Sequence, residues 1–302
     1  MTKIEITMLG TAAGIPTPGR NHPAIYFRYH GREEWVGLFD CGEGTQRQIF
    51  KAKENFMRIS DIFISHWHAD HFAGLLGLLF TMNMEKRVKP LRIYGPEAER
   101  WVDNIVNLGY AHLTYPVKKI NVEHEGTEIE TILDTEEFTI QATPVKHGVP
   151  AVGYAFVEKP RIKLDKDILK KKGLPPKGPI YKDVKENGYV VFKGKKIPLS
   201  EISREEPGKK IVYSGDTLPT KTIVKLAENA NLLIHDSTFF EDDFESKHST
   251  VDEVLEIAEK ANVKQLLLTH ISRRYQNIQE LEDKIKGKKN VTIAKDMMKI
   301  EL

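Results

Sequence analysis

The chain has 302 residues, 40% of them hydrophobic and 29% charged, and carries a formal net charge of +2. That composition fits a globular protein large enough to bury a full core, and no apolar run approaches the roughly 20 residues of a membrane helix. The single cysteine, Cys41, cannot close an intrachain disulfide, so a reducing, cytoplasmic setting is expected, with no membrane association.

The N-terminus, Met1-Thr2-Lys3-Ile4-Glu5-Ile6, alternates like a strand and lacks a signal-peptide pattern. Strands are predicted at 4–9, 24–29 and 35–40, the last placing Cys41 at a strand end in a structural role. A helix is predicted after Gly44, over 46–53. Residues 59–65 read as a strand and 75–84 as an apolar helix on the core. A short strand at 91–94 leads to a helix from Pro96 to Leu108, with proline in the tolerated first turn. Residues 117–142 read as paired strands and 149–157 as another. Short apolar runs at 211–214 and 232–235 predict buried strands. Thr250-Val251-Asp252-Glu253 has the form of a capping box for a helix to about Ala261. A strand over 265–269 ends at His270. Strands alternating with helices, with acids and histidines at strand ends, predict a layered α/β fold with its site at one edge.

One segment differs in charge. Residues 159–196 hold 13 Lys/Arg and 4 Asp/Glu, an excess of +9 that leaves the remainder at −7. Within it, Leu174-Pro175-Pro176-Lys177-Gly178-Pro179 is too interrupted for regular structure. The segment reads either as a solvated surface insertion or as an electrostatic arm for a phosphate backbone.

The strongest chemical signal is Ser65-His66-Trp67-His68-Ala69-Asp70-His71, which follows the apolar run Ile62-Phe63-Ile64. Imidazole and carboxylate are the ligands that borderline cations such as zinc select. On a strand, His66 and His68 would share one face, and Asp70 and His71 would fall in the next turn. Such crowding suits a two-metal centre that activates water. His147, Asp216 and His270 each sit just past a predicted strand. Asp216 is the apt bridging group, because a carboxylate can span two cations.

The pattern His66-x-His68-x-Asp70-His71 with His147, Asp216 and His270 resembles the metallo-β-lactamase superfamily. Further motifs resemble, within it, the ribonuclease Z family, endonucleases that remove 3′ trailers from precursor tRNA. They are Gly10-Thr11-Ala12-Ala13-Gly14-Ile15-Pro16, Pro16-Thr17-Pro18-Gly19-Arg20-Asn21 and Asp40-Cys41-Gly42-Glu43-Gly44-Thr45-Gln46. Lys247-His248-Ser249-Thr250 and His270-Ile271-Ser272-Arg273-Arg274-Tyr275 complete the set. Pro18 stands where a lysine is common in the bacterial form. The resemblance implies a single α/β domain over 1–302, a four-layer αββα sandwich with 159–208 inserted as a projecting, basic, tRNA-gripping arm. It implies two zinc ions per subunit, His66, His68 and His147 holding one, Asp70, His71 and His270 the other, and Asp216 bridging. It also implies precursor tRNA as substrate, a homodimer, a tRNA 3′-hydroxyl and a trailer 5′-phosphate as products, and Asp70 as proton acceptor.

His248 is expected either to serve the leaving 3′ oxygen or to hydrogen-bond at a helix N-terminus; no carboxylate partner is legible. Lys170, Lys171, Lys172 and Lys177 are the candidate contacts to the tRNA elbow. Arg20 and Asn21 are either RNA contacts or parts of an asparagine-stabilised turn, and Arg273 and Arg274 either phosphate contacts or ion pairs. The competing enzyme is a general metallo-phosphodiesterase of the same fold, which has no use for a basic arm. A non-catalytic RNA-binding scaffold would have lost ligands, and all seven are present.

Overall fold

The computed structural model describes residues 2–108, 112–182, 184–240, 247–275 and 278–302. It divides into two units, Met1–Val157 with Lys210–Leu302, and Glu158–Lys209. The larger unit is built on two seven-stranded mixed sheets. The first runs, edge to edge, Lys299–Glu301, Lys3–Gly10, Ala24–His30, Glu34–Phe39, Asp61–Phe63, Leu91–Gly95 and Val117–Asn121. The second runs Val291–Ile293, Leu266–Thr269, Leu232–Asp236, Lys210–Tyr213, Val152–Glu158, Phe138–Pro144 and Glu130–Asp134.

The two-residue period of a strand decides which side chains meet. Ile4, Ile6, Met8, Phe27, Phe39 and Phe63 join Phe138, Ile140, Tyr154, Phe156 and Tyr213 in one buried cluster between the sheets. Its rings pack closely, with Phe39 and Phe63 stacked at 4.9 Å between centroids and Phe138 and Phe156 also at 4.9 Å. The opposite faces pack on helices. Tyr26, Leu38, Ile62 and Ile93 meet Ile49, Leu78 and Val102 from helices Thr45–Lys51, Leu75–Met84 and Ala98–Val106. Val212, Leu233 and Leu268 meet Leu226, Val254 and Ile257 from helices Lys221–Ala227 and Val251–Lys260. The result is the αββα layering expected. Asp61–Phe63, Leu232–Asp236 and Leu266–Thr269 are buried at every position, as suits parallel strands covered on both faces.

Several expectations need correction. Val117–Asn121 does not pair with the strands that follow it; it lies parallel to Leu91–Gly95 in the first sheet, while Glu130–Asp134 pairs with Phe138–Pro144 in the second. The helix after Pro96 starts at Ala98, and the strand before the histidine cluster spans only Asp61–Phe63. The capping box is formed: Thr250 accepts from the Glu253 amide, and the Glu253 carboxylate accepts from the Thr250 amide. Cys41 is fully buried, and burial pushes its thiol up to about 12, in keeping with a packing role.

The Glu158–Lys209 unit has a core of its own: Leu169, Leu174, Val184, Val190 and Ile202. Strand Arg161–Leu164 pairs antiparallel with Ser203–Glu206, and Tyr189–Phe192 forms a hairpin with Lys195–Pro198. Helix Lys166–Lys171 is capped by Asp165, whose side chain accepts from the Asp167 and Ile168 amides, and its last turn is basic, as the helix dipole favours. Lys170, Lys171 and Lys177 are exposed. Lys172 is exposed but paired, 2.5 Å from Glu201.

Candidate metal centre

The functional side chains come from chain segments that leave the carboxyl ends of the central strands. His66 lies three residues beyond Asp61–Phe63, Asp216 three beyond Lys210–Tyr213, His270 directly after Leu266–Thr269, and His147 three beyond Phe138–Pro144. In sheets of this kind, that edge is where diverging connections leave a crevice. Sharp turns bring the side chains inward. Asp40 and His270 adopt positive φ, at 55° and 59°. Gly215 does so at 58°, and a Cβ there would stand 2.7 Å from the Ser65 Cβ, so the turn before Asp216 requires glycine.

His66 and His68 do not share a strand face. The strand has ended by Phe63, His68 caps a short helix, and Asp70 and His71 lie in that helix, Ala69–Phe72, rather than in a turn. The donors still converge. His66 Nε2 and His147 Nε2 lie 3.0 and 3.1 Å from His68 Nδ1. His71 Nε2 and His270 Nε2 lie 3.3 Å apart, each 3.5 Å from Asp70 Oδ2. Asp216 Oδ2 is 3.2 Å from His71, 3.3 Å from His270 and 3.7 Å from His66, so one oxygen reaches both clusters.

The outer hydrogen bonds show that this donor set suits cations. His71 Nδ1 donates to Asp40 Oδ2 at 2.7 Å, and His147 Nδ1 to the Lys247 carbonyl at 3.0 Å. Ser65 Oγ gives its proton to Asp40, and Thr238 Oγ1 gives its own to Asp236. Each hydroxyl can therefore accept from an imidazole, His66 Nδ1 at 3.1 Å and His270 Nδ1 at 2.7 Å. Four rings thus have Nδ1 engaged outside the cluster and aim Nε2 into it, the arrangement that outer partners impose on metal-binding histidines. Asp216 Oδ1 is buried without a hydrogen-bond partner among the described residues, a further sign that the centre is built for a cation.

Sequence reasoning missed Asp40 and Asp236. Asp236 ends a buried strand and lies 2.9 Å from His248 Nδ1, the carboxylate partner that could not be read from the chain. The acids at strand ends were the available signal, but pairing them needs three dimensions. Arg20 is largely used internally: Nη1 donates to Thr11 Oγ1 at 2.6 Å and to the Ala294 carbonyl at 2.8 Å. Asn21 Nδ2 donates to the Glu43 carbonyl at 2.8 Å. A cleft of about 950 Å³ begins beside His270, lined by Thr17, Arg20, Arg273, Arg274 and Lys295 among others.

Charge in the metal-free cluster follows from burial and neighbours. Burial pulls His66, His68 and His147 down, toward the neutral form that binds metal. For His71 and His270 burial acts the same way, but the neighbouring carboxylates, chiefly Asp216, outweigh it; His71 lies well above its ordinary value and His270 is raised to about 10. Asp70 is held far below the carboxylate range, burial being outweighed by its bonds to His270 and His71. A cation needs neutral imidazoles. Zinc binding to metal-free protein near pH 7.5 is therefore expected to release about two protons, from His71 and His270, and the apparent affinity should weaken as pH falls. Calorimetry in buffers of different ionisation enthalpy measures this directly; release of none would contradict the assignment of these two rings.

The fold and the converging donors define a metallohydrolase of the metallo-β-lactamase class. In agreement, the description "Beta-lactamase superfamily domain" matches residues 200–271, and that of the anti-Pycsar protein Apyc1 matches residues 4–150. Ribonuclease Z of Archaeoglobus fulgidus is 40% identical, covering 99% of this chain and 97% of its own length. Ribonuclease Z of Thermococcus gammatolerans is 42% identical over 90% of this chain and 85% of its own. The solved structure of human tRNase Z, short form, is 30% identical and superposes with a TM-score of 0.68, covering 98% of each chain. The chain belongs to the ribonuclease Z family, hydrolases that process the 3′ end of tRNA.

Proposed function

We propose that this protein cuts precursor tRNA at the base of its 3′ trailer, with two zinc ions held as His66–His68–His147 and Asp70–His71–His270, Asp216 bridging. The observation that carries the reading is the convergence of all seven donors, lone pairs inward, on a ribonuclease Z chain. When bound, two such cations supply an activated water and offset charge on the phosphoryl oxygens.

The chain's own residues handle the protons. Asp70, a carboxylate set between His71 and His270 at the edge of the cluster, accepts the proton of the attacking water. His248 serves the other end of the reaction. Burial alone would strip its proton, but Asp236 at 2.9 Å and the charge of Asp216 raise its pKa. Asp236 fixes the ring through Nδ1, and the ring carries a proton to the departing 3′ oxygen. The products are a tRNA 3′-hydroxyl and a trailer 5′-phosphate.

Recognition is by charge and shape, since an RNA duplex offers backbone and minor groove rather than a readable major groove. Lys170, Lys171, Lys172 and Lys177 of the 158–209 unit grip the tRNA elbow. Arg273, Arg274 and Lys295 in the cleft beside His270 meet phosphates near the cut. Arg20 and Asn21, engaged within the fold, shape the cleft wall and approach the RNA from there. A homodimer and a cytoplasmic location belong to the same reading, the first by family resemblance, the second from cysteine usage.

Cleavage mapping on 5′-labelled precursor tRNA with zinc-loaded protein tests the proposal. A single cut beside the discriminator base is expected. An uncut tRNA with intact hydrolysis of a small phosphodiester would instead make the chain a general phosphodiesterase of this fold.

A further inference from the structure

Asp70 Oδ2 faces His71 and His270, and a backbone group outside the donor set also holds it. The Gly14 amide donates to this oxygen at 3.0 Å. Gly14 is the centre of a three-residue turn in which the Ile15 amide donates to the Ala13 carbonyl at 2.5 Å. Its φ is +60°, a conformation glycine takes without the Cβ penalty. Packing does not hold this turn: a Cβ on Gly14 would meet nothing within 4 Å, and Ile15 is 47% exposed.

One arm of the turn, Ala12–Ala13, pairs with Ile271–Ser272, and its tip is held by His22, whose Nε2 donates to the Gly14 carbonyl at 3.2 Å. His22 is itself immobilised. The carbonyl of Asn21 before it accepts from the Ala12 amide at 2.9 Å, and that of Pro23 after it from the Gly42 amide at 3.0 Å. The His22 backbone lies so close to Gly10 that a Cβ there would come within 1.7 Å of its carbonyl oxygen, and a Cβ on Gly42 would stand 2.4 Å from the His22 Cβ. The ring's other nitrogen, Nδ1, is buried with no hydrogen-bond partner among the described residues. The ring is thus rigidly placed and aimed at one acceptor, the exposed turn that holds the reactive carboxylate.

We propose that His22 is a positioning residue: through Gly14 it fixes the orientation of Asp70. The inference rests on the role given to Asp70 above. Two other roles are open to His22, a direct contact to RNA and simple packing, and each behaves differently.

The test compares wild type, His22→Ala and His22→Gln, since the glutamine amide can still donate to the Gly14 carbonyl. Steady-state cleavage of precursor tRNA is measured beside zinc titration of the metal-stripped proteins. His22→Ala is expected to lower kcat by about 10–100-fold with KM unchanged and to weaken one of the two zinc sites by about 10-fold, the range for lost outer partners of a metal site. His22→Gln should restore most of both. A rise in KM alone would mean an RNA contact and overturn the proposal. So would an unchanged kcat, or a His22→Gln as impaired as His22→Ala. If wild-type, zinc-loaded protein leaves precursor tRNA uncut, the parent reading fails separately. The zinc isotherms then still decide: one weakened site supports the role of His22, and an unchanged isotherm overturns it.

Discussion

Asp70→Ala should lower kcat for precursor tRNA cleavage by at least about 10³-fold while leaving RNA binding within about twofold of wild type. The substitution removes three things at once. It deletes the proposed proton acceptor, a candidate ligand in the Asp70–His71–His270 set, and the partner of the Gly14 amide. RNA affinity is expected to survive because the cations proposed to meet phosphates lie elsewhere, on the 158–209 unit and in the cleft beside His270. A gel shift with uncleaved precursor separates the two effects. Lost binding would mean that Asp70 shapes the RNA surface rather than the chemistry. Asp70→Asn sharpens the test, since its amide oxygen still accepts from Gly14 but its charge and basicity are gone. It should be nearly as inactive as the alanine variant.

Excising the basic unit should have the opposite signature. Val157 and Lys210 are paired residues on adjacent antiparallel strands, so removing 158–209 and joining them through a two-glycine hairpin keeps the sheet register. The excised unit has its own small core, and among the described residues the main core clusters include none of its side chains. We expect kcat/KM for precursor tRNA to fall by about 10²-fold or more, with a shallower salt dependence as phosphate contacts are lost. Hydrolysis of a small chromogenic phosphodiester should stay within about threefold. Equal loss of both activities would remove the case for an RNA-binding arm and make the unit a structural support of the centre.

The chemistry was legible in the sequence because metal ligation tolerates few residue types. His66, His68, Asp70 and His71 fall within six positions, and no packing role explains them. The flanking motifs supplied the family, and the charge separation marked the segment that folds as a second unit. The local geometry was less legible. The two-residue spacing of His66 and His68 predicts a shared strand face, yet they meet from an irregular segment and a helix cap, at 3.0 Å. Val117–Asn121 and Glu130–Asp134 look like consecutive paired strands, but they belong to different sheets. A strand's pattern reports which face is buried, not against which neighbour.

The amino-acid sequence by itself determined the candidate donor set, the layered α/β class and the basic insertion, because residue type, hydrophobic period and local charge are properties of the chain alone. Tertiary structure alone decided the hydrogen-bond partners around them: Asp40 behind His71, Asp236 behind His248, and His22 behind Gly14 and Asp70. These contacts join residues 31, 12, 8 and 56 positions apart. A hydrogen bond is fixed by distance and direction to within a few tenths of an ångström. Only the packing of two sheets, through a core contributed by most of the strands, sets positions that finely.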